Sequence, residues 1–149
     1  MSRLHVHIAV DDLDRNIRFY SAMFGTEPSV VKDDYAKWEV ADPAVNFAIS
    51  ARAKQAGLDH VGIQADSAEE LQALQVRLEA AGIAGRPQAG AACCYARSDK
   101  YWSLDPQGIA WEAFHTLDSI PTFNEAESEV ETPAQGCCVP AMGASSCCP

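Results

Sequence analysis

The chain has no lysine or arginine beyond Lys100, no apolar run long enough for a membrane span, and no cysteine standing apart from another. Each absence excludes something. Eleven Lys and Arg against 21 Asp and Glu leave a formal net charge of −10, which argues against a nucleic-acid backbone as partner. Asp118, Glu125, Glu127, Glu129 and Glu131 concentrate negative charge toward the end of the chain. Without a continuous apolar stretch, no membrane partner is expected. The first residues, with His5, His7 and Asp11 among them, are too polar for a signal peptide. The expected location is the cytoplasm, where thiols stay reduced. The six cysteines form three adjacent pairs, Cys93-Cys94, Cys137-Cys138 and Cys147-Cys148. Adjacent cysteines close only a small, strained ring, so the pairs suggest dithiol chemistry toward a soft metal or metalloid rather than a disulfide framework.

What is present is a duplicated pattern. With 149 residues, 48% of them hydrophobic, the chain can bury the core of one domain. Residues 4–10 alternate as a strand, and Asp11-Asp12 offers a cap to a helix over 13–24 that Gly25 stops. Short strands are expected at 29–31, 36–40 and 45–49, with turns at Asp33-Asp34 and Asp42-Pro43. The order then restarts. A strand at 58–66 leads into a capping box, Ser67-Ala68-Glu69-Glu70, and a helix over 68–81 carries Leu71, Leu74 and Leu78 on one face. Strands are expected near 84–88, 101–104 and 109–115. An offset of 55 residues lays His5 on His60, Val6 on Val61, Ile8 on Ile63 and Asp11 on Asp66, the mark of an internal repeat. The expectation is an α+β fold of two paired βαβββ modules, about residues 1–52 and 56–117. Pairing about a pseudo-twofold axis would join their first strands in a curved mixed sheet around a shared site. Residues 118–149, acidic and rich in proline and small residues, are expected to form a disordered tail.

His5 and His60 hold equivalent positions on the two inner strands, so each can offer one imidazole to a common ion. Glu112 stands among apolar residues of the last strand, where the first module carries Ala48. A buried carboxylate without a partner is costly, and coordination to a metal would remove the penalty. Two histidines and one carboxylate with open positions match the facial triad of non-haem Fe(II) sites. A single strand histidine is more often a hydrogen-bonded core residue, but the repeat argues otherwise for this pair. His7 shares the face of His5, yet its counterpart is Gly62, so it is expected beside the ligands and not among them. His115 is expected to face solvent, and Tyr35, Trp38, Trp102 and Trp111 to form core or pocket wall. The stretch 91–102, Ala-Ala-Cys-Cys-Tyr-Ala-Arg-Ser-Asp-Lys-Tyr-Trp, reads as a loop. Neighbours in a strand point to opposite faces, so Cys93 and Cys94 can aim both sulfurs at one object only from a turn or loop. Tyr95, Lys100 and Tyr101 are candidate pocket residues.

Residues 12–25, Asp-Leu-Asp-Arg-Asn-Ile-Arg-Phe-Tyr-Ser-Ala-Met-Phe-Gly, together with the first-strand histidines and Trp111-Glu112, resemble the vicinal oxygen chelate superfamily. That superfamily includes glyoxalases, extradiol dioxygenases and fosfomycin-resistance proteins. Ala92-Cys93-Cys94-Tyr95, followed by Asp99-Lys100 and Trp102, resembles more narrowly the arsenic-inducible carbon–arsenic lyases, also called cadmium-induced proteins. The resemblance covers residues 1 to about 117. It implies Fe(II)- and O2-dependent cleavage of the carbon–arsenic bond in trivalent organoarsenicals, methylarsenite giving arsenite and formaldehyde, with trivalent aromatic arsenicals as further substrates. It assigns arsenic binding to Cys93 and Cys94, and metal binding to His60 and Glu112. His5 completes the set here, although some relatives carry an amide at that position. Ni, Co or Zn can stand in for iron in a purified protein. Cys137, Cys138, Cys147 and Cys148 become candidates for auxiliary arsenic capture, and the protein is expected as a monomer or homodimer. Two rival readings are a thiol-rich cadmium or arsenite sink without turnover, and a glyoxalase or ring-cleaving dioxygenase reaction on the same fold.

Overall fold

The computed structural model describes residues 1–124. Residues 125–149, which include Cys137, Cys138, Cys147 and Cys148, lie outside the described residues. Two units follow one another. The first comprises β1 (Arg3–Ala9), α1 (Leu13–Phe24), β2 (Val30–Lys32), β3 (Tyr35–Val40) and β4 (Val45–Ser50). The second comprises β5 (Gly57–Gln64), α2 (Ala68–Ala80), β6 (Gly85–Cys93), β7 (Ala96–Leu104) and β8 (Ala110–Ser119). All eight strands form one mixed sheet in the order β2-β3-β4-β1-β5-β8-β7-β6, so the first strands of the two modules meet at its centre.

The helices begin and end where local chemistry directs. Asp12 Oδ1 accepts the Arg15 amide at 2.8 Å, and Gly25, at φ 66°, closes α1 in a left-handed turn. Ser67 Oγ accepts the Glu70 amide at 3.3 Å to start α2, while the Glu70 carboxylate accepts the Asp66 amide at 2.9 Å. Leu13, Ile17, Tyr20 and Phe24 of α1 pack on Trp38, Phe47 and Ile49. Leu71, Leu74 and Leu78 of α2 pack on Tyr101 and Ala113. Both helices thus cover one face of the sheet, and the other face is left for polar residues.

The register carries the repeat symmetry. In the antiparallel β1–β5 pair, His5 faces Gly62 and His7 faces His60. Exchanging each residue for its counterpart 55 positions away turns the first pairing into the second, as a twofold axis between the strands requires. The parallel pairs agree: His7 lies beside Ala48 on β4, and Gly62 lies beside Glu112 on β8. Ala48 and Glu112 are therefore equivalent positions, as the sequence comparison expects. Gly62 cannot be a second His7, because a Cβ there would come within 1.9 Å of the Glu112 carbonyl oxygen.

Two expectations need correction. The stretch 91–102 is not an open loop but the tip and second strand of the β6–β7 hairpin, with Cys93 paired to Ala96 across a two-residue turn. A Cys-Tyr dipeptide lacks the Asn-Gly signature of such turns, so the sequence conceals it. Regular structure also continues past residue 117. β8 runs to Ser119, Asn124 bridges to Cys93, and Phe123 is 1% exposed against Tyr35 and Tyr95.

Candidate metal centre and sulfur pair

Alternation along the central strands delivers the site. On β1, His5 and His7 are buried on the face away from the helices, while Leu4, Val6 and Ile8 turn outward or toward α1. His60 on β5, Glu112 and Phe114 on β8, and Ser98 and Lys100 on β7 reach the same face. They line a cavity of about 50 Å³, room for a small bound group and little more.

Within it, three donors converge. His5 Nε2 and His60 Nε2 lie 3.1 Å apart, and Glu112 Oε2 lies 3.6 Å from the first and 3.3 Å from the second. A metal about 2.1 Å from each donor would separate neighbouring donors by about 3.0 Å in an octahedron and about 3.4 Å in a tetrahedron. The outer nitrogens dictate the tautomers. His5 Nδ1 donates to the Asn46 carbonyl at 3.1 Å, and His60 Nδ1 donates to the Asp59 carboxylate at 2.6 Å. Both Nε2 atoms of the neutral rings therefore carry lone pairs, aimed with a carboxylate oxygen at one buried point. That arrangement calls for a cation. The residues present fit a divalent metal.

A second trio, His5, His7 and His60, can also bring one nitrogen each within 4.8 Å of one another. That spacing is looser, and His7 Nε2 is engaged by Ser50 Oγ at 2.8 Å. The tighter set with Glu112 fits a metal better. His5→Ala and His60→Ala should each weaken metal binding by more than about a hundredfold, and His7→Ala by less than about tenfold. Metal titration of the purified variants checks this. A His7→Ala protein that alone lost its metal would shift the centre to the three histidines.

Electrostatics keep His5 and Glu112 in their binding forms and, without a metal, favour a proton on His60. Burial, then the neighbouring His60, lowers His5 to about 4 and His7 to about 3. Burial alone would raise Glu112, but Lys100, with Nζ 2.5 Å from Oε1, and His60 outweigh it and hold the carboxyl well below its usual range. His60 moves the other way: burial opposes its charge, but the bonds to Asp59 and Glu112 prevail and raise it. The sign for stability follows. His5 and His7 bind protons near pH 6.5 when unfolded and only near 4 and 3 when folded. Their contribution is therefore present above 6.5 and lost as pH falls toward 4. Metal-free protein should melt at progressively lower temperature across that window, and His7→Gln should flatten the dependence by close to one proton. An unchanged pH slope in that variant would contradict the assignment.

The sulfur pair sits on the first-module side of the cavity. Cys94 and Tyr95 have φ of 57° and 61°, a left-handed conformation costing about 1–2 kcal/mol per residue without glycine. The turn brings Cys93 Sγ and Cys94 Sγ to 3.0 Å, which adjacent residues in a flat strand could not achieve. Ala48, in the place equivalent to Glu112, packs with Cys93, Tyr35 and Phe123. The small residue opposite the carboxylate makes room for sulfur. Burial pushes the Cys94 thiol well above its ordinary range, while Cys93 stands in a disulfide. The dithiol is thus the reduced form of this site.

Sequence reasoning placed His5, His60, Glu112, Cys93, Cys94, His7 and Lys100 around one cavity, and the structure brings all of them there. Tyr95 stands in the turn itself. Tyr101 is a correction. It points to the helix side with Leu71 and Ala113 because its neighbours Lys100 and Trp102 take the cavity side. Trp38 and Trp111 also lie on the helix side, whereas Trp102 packs against His60 at 5.3 Å. His115 is half-buried and its Nδ1 lies 3.3 Å from the Ala65 carbonyl. Asp59, Asn46 and Ser50, which hold the three imidazoles, escaped notice. Asp59 alone had a signal, standing next to His60.

Comparison with known proteins decides the family. Residues 3–113 match the Glyoxalase/Bleomycin resistance protein/Dioxygenase superfamily. The chain belongs to this superfamily. It is 38% identical over 153 residues to a trivalent organoarsenical cleaving enzyme of Bacillus sp. (strain MD1), covering 99% of this chain and 91% of that protein. It is 34% identical to a cadmium-induced protein of Mycobacterium tuberculosis, covering 93% of each. Among solved structures, an extradiol ring-cleaving dioxygenase from B. fuscum superposes with a TM-score of 0.59 at 15% identity, over 85% of this chain and 36% of that one. The Mn(II)-bound glyoxalase from Novosphingobium aromaticivorans gives 0.57 at 22%, over 87% and 44%. The two likenesses show a shared fold. Among the described residues no helix is long and apolar enough to cross a membrane.

Proposed function

We propose that this protein cleaves the carbon–arsenic bond of small trivalent organoarsenicals, using Fe(II) and O2. The observation that carries the reading is a pair of sulfurs 3.0 Å apart lining the same cavity as the converging His5, His60 and Glu112 donors. The names of the Bacillus relative and the tuberculosis relative, one an organoarsenical cleaving enzyme and one a cadmium-induced protein, support soft-ion chemistry at such a pair.

Trivalent arsenic forms three bonds. The Cys93 and Cys94 thiols replace two hydroxyls of methylarsenite, each thiol proton leaving with a hydroxyl as water, and leave the methyl group on the third bond. Inorganic arsenite would seek a third sulfur, so the pair selects a mono-organoarsenical. The turn then holds that carbon over the donors, which contributes by proximity. His5, His60 and Glu112 would hold Fe(II), which supplies activation of O2 when bound. Asp59 and the Asn46 carbonyl keep both imidazoles in the ligating tautomer. Lys100 balances the carboxylate charge at Oε1 while Oε2 faces the other donors. Overall, methylarsenite and one O2 give arsenite and formaldehyde, with every atom accounted for. The test is Fe(II)-loaded, reduced protein with trivalent methylarsenical. Formaldehyde and arsenite should appear in equal amounts only after oxygen is admitted. Tight arsenical binding with no formaldehyde would make the protein a sink instead.

A further inference from the structure

The sulfur turn belongs to the second module, yet what holds it from outside the hairpin comes largely from the first. The Tyr95 hydroxyl donates to Asp34 Oδ1, in the β2–β3 turn. The other oxygen of Asp34 accepts from Arg52 Nη1, just beyond β4. Asp34 is also fixed by its backbone, whose carbonyl accepts the Ala51 amide at 2.9 Å. The Arg52 guanidinium lies over the Phe123 ring at 4.2 Å, and Phe123 meets the Tyr95 ring edge-on at 5.6 Å. The backbone is tied as well: the Phe123 carbonyl accepts the Cys94 amide at 2.7 Å, and the Tyr95 carbonyl accepts the Ile120 amide at 2.9 Å.

A turn with two consecutive non-glycine residues at positive φ persists only where its surroundings over-determine it. Here the conformation has a purpose, since it is what makes Cys94 Sγ converge with Cys93 Sγ. Neither Asp34, Tyr95 nor Arg52 is needed to hold the metal donors, whose partners are Asn46, Asp59 and Lys100. We propose that Arg52, Asp34 and Tyr95 are positioning residues for arsenical capture: the first module grips the Tyr95 hydroxyl and so holds both sulfurs in their chelating arrangement. This rests on the dithiol reading above.

The probe is trivalent methylarsenical titrated into the reduced, metal-free full chain with Cys137, Cys138, Cys147 and Cys148 replaced by serine in every protein compared, and anaerobic Fe(II) titration is a separate measurement. Tyr95→Phe, which keeps the ring, and Asp34→Ala should each weaken arsenical binding about tenfold. The double variant should be little weaker than either, since both remove one interaction. Asp34→Asn keeps an acceptor oxygen and should restore binding to within about threefold of the parent. Fe(II) affinity should stay within about twofold throughout, which a general loss of folding would not allow. Unchanged arsenical affinity in Tyr95→Phe overturns the proposal, and so does a parallel loss of Fe(II) affinity. If Asp34→Ala does not fold, Tyr95→Phe and Asp34→Asn still decide. Cys94→Ser is the separate arm. Should it bind the arsenical as the parent does, the dithiol reading itself fails, whatever Tyr95→Phe does.

Discussion

Glu112→Gln should lose both metal and turnover, with metal affinity down by at least about a hundredfold. The carboxylate is the one anionic donor in the set, and its Oε2 stands 3.6 and 3.3 Å from the two imidazole nitrogens. The same change should also destabilise the fold, because Lys100 is buried against Oε1 at 2.5 Å. Removing one partner of a buried ion pair typically costs about 3–5 kcal/mol. A Lys100→Met, Glu112→Gln double variant separates the two effects. It should recover most of the lost stability, since no unpaired charge remains, and recover no metal binding. Urea melts and metal analysis on the three proteins check both parts. Normal iron content and normal turnover in Glu112→Gln would place the carboxylate ligand elsewhere.

The second large effect concerns sulfur. Cys93→Ser and Cys94→Ser should each weaken methylarsenical binding by about 10²–10⁴-fold, because a single thiol loses the advantage of an intramolecular second bond. Fe(II) affinity should be nearly unchanged, since neither sulfur is one of the three converging donors. A chain ending after Asn124 should keep its kcat. The cut must fall there and not at residue 118, because Phe123 is buried against the rings of Tyr35 and Tyr95. If the pairs at 137–138 and 147–148 collect arsenicals and pass them on, the shortened chain should show a higher KM alone. A collapsed kcat with normal KM would instead put one of those thiols in the active site.

The centre of the fold was readable because two features reinforce one another in one dimension. The offset of 55 residues, applied to His5 and Asp11, fixes which strands must pair, and alternation then fixes which side chains share a face. Ala48 in the place of Glu112 followed from matching the last strands of the two modules, and the strand register agrees. What escaped is what comes from far along the chain. Asn46 and Ser50 meet β1 histidines more than forty positions away, and Asp34 reaches Tyr95 across 61. No local pattern announces such partners. The hairpin carrying Cys93 and Cys94 was hidden for a different reason. Its turn residues serve chemistry, and local preference would have called for glycine and asparagine.

The central claim is that the sulfur pair and the metal donors act on one molecule in one cavity. X-ray absorption at the arsenic edge tests it most directly, on reduced, Fe(II)-loaded protein carrying trivalent methylarsenical without oxygen. The arsenic should have two sulfur neighbours and one carbon, and admitting oxygen should remove the carbon in the parent but not in Glu112→Gln. Three sulfurs at arsenic, or a carbon that survives oxygen in the parent, would contradict the account.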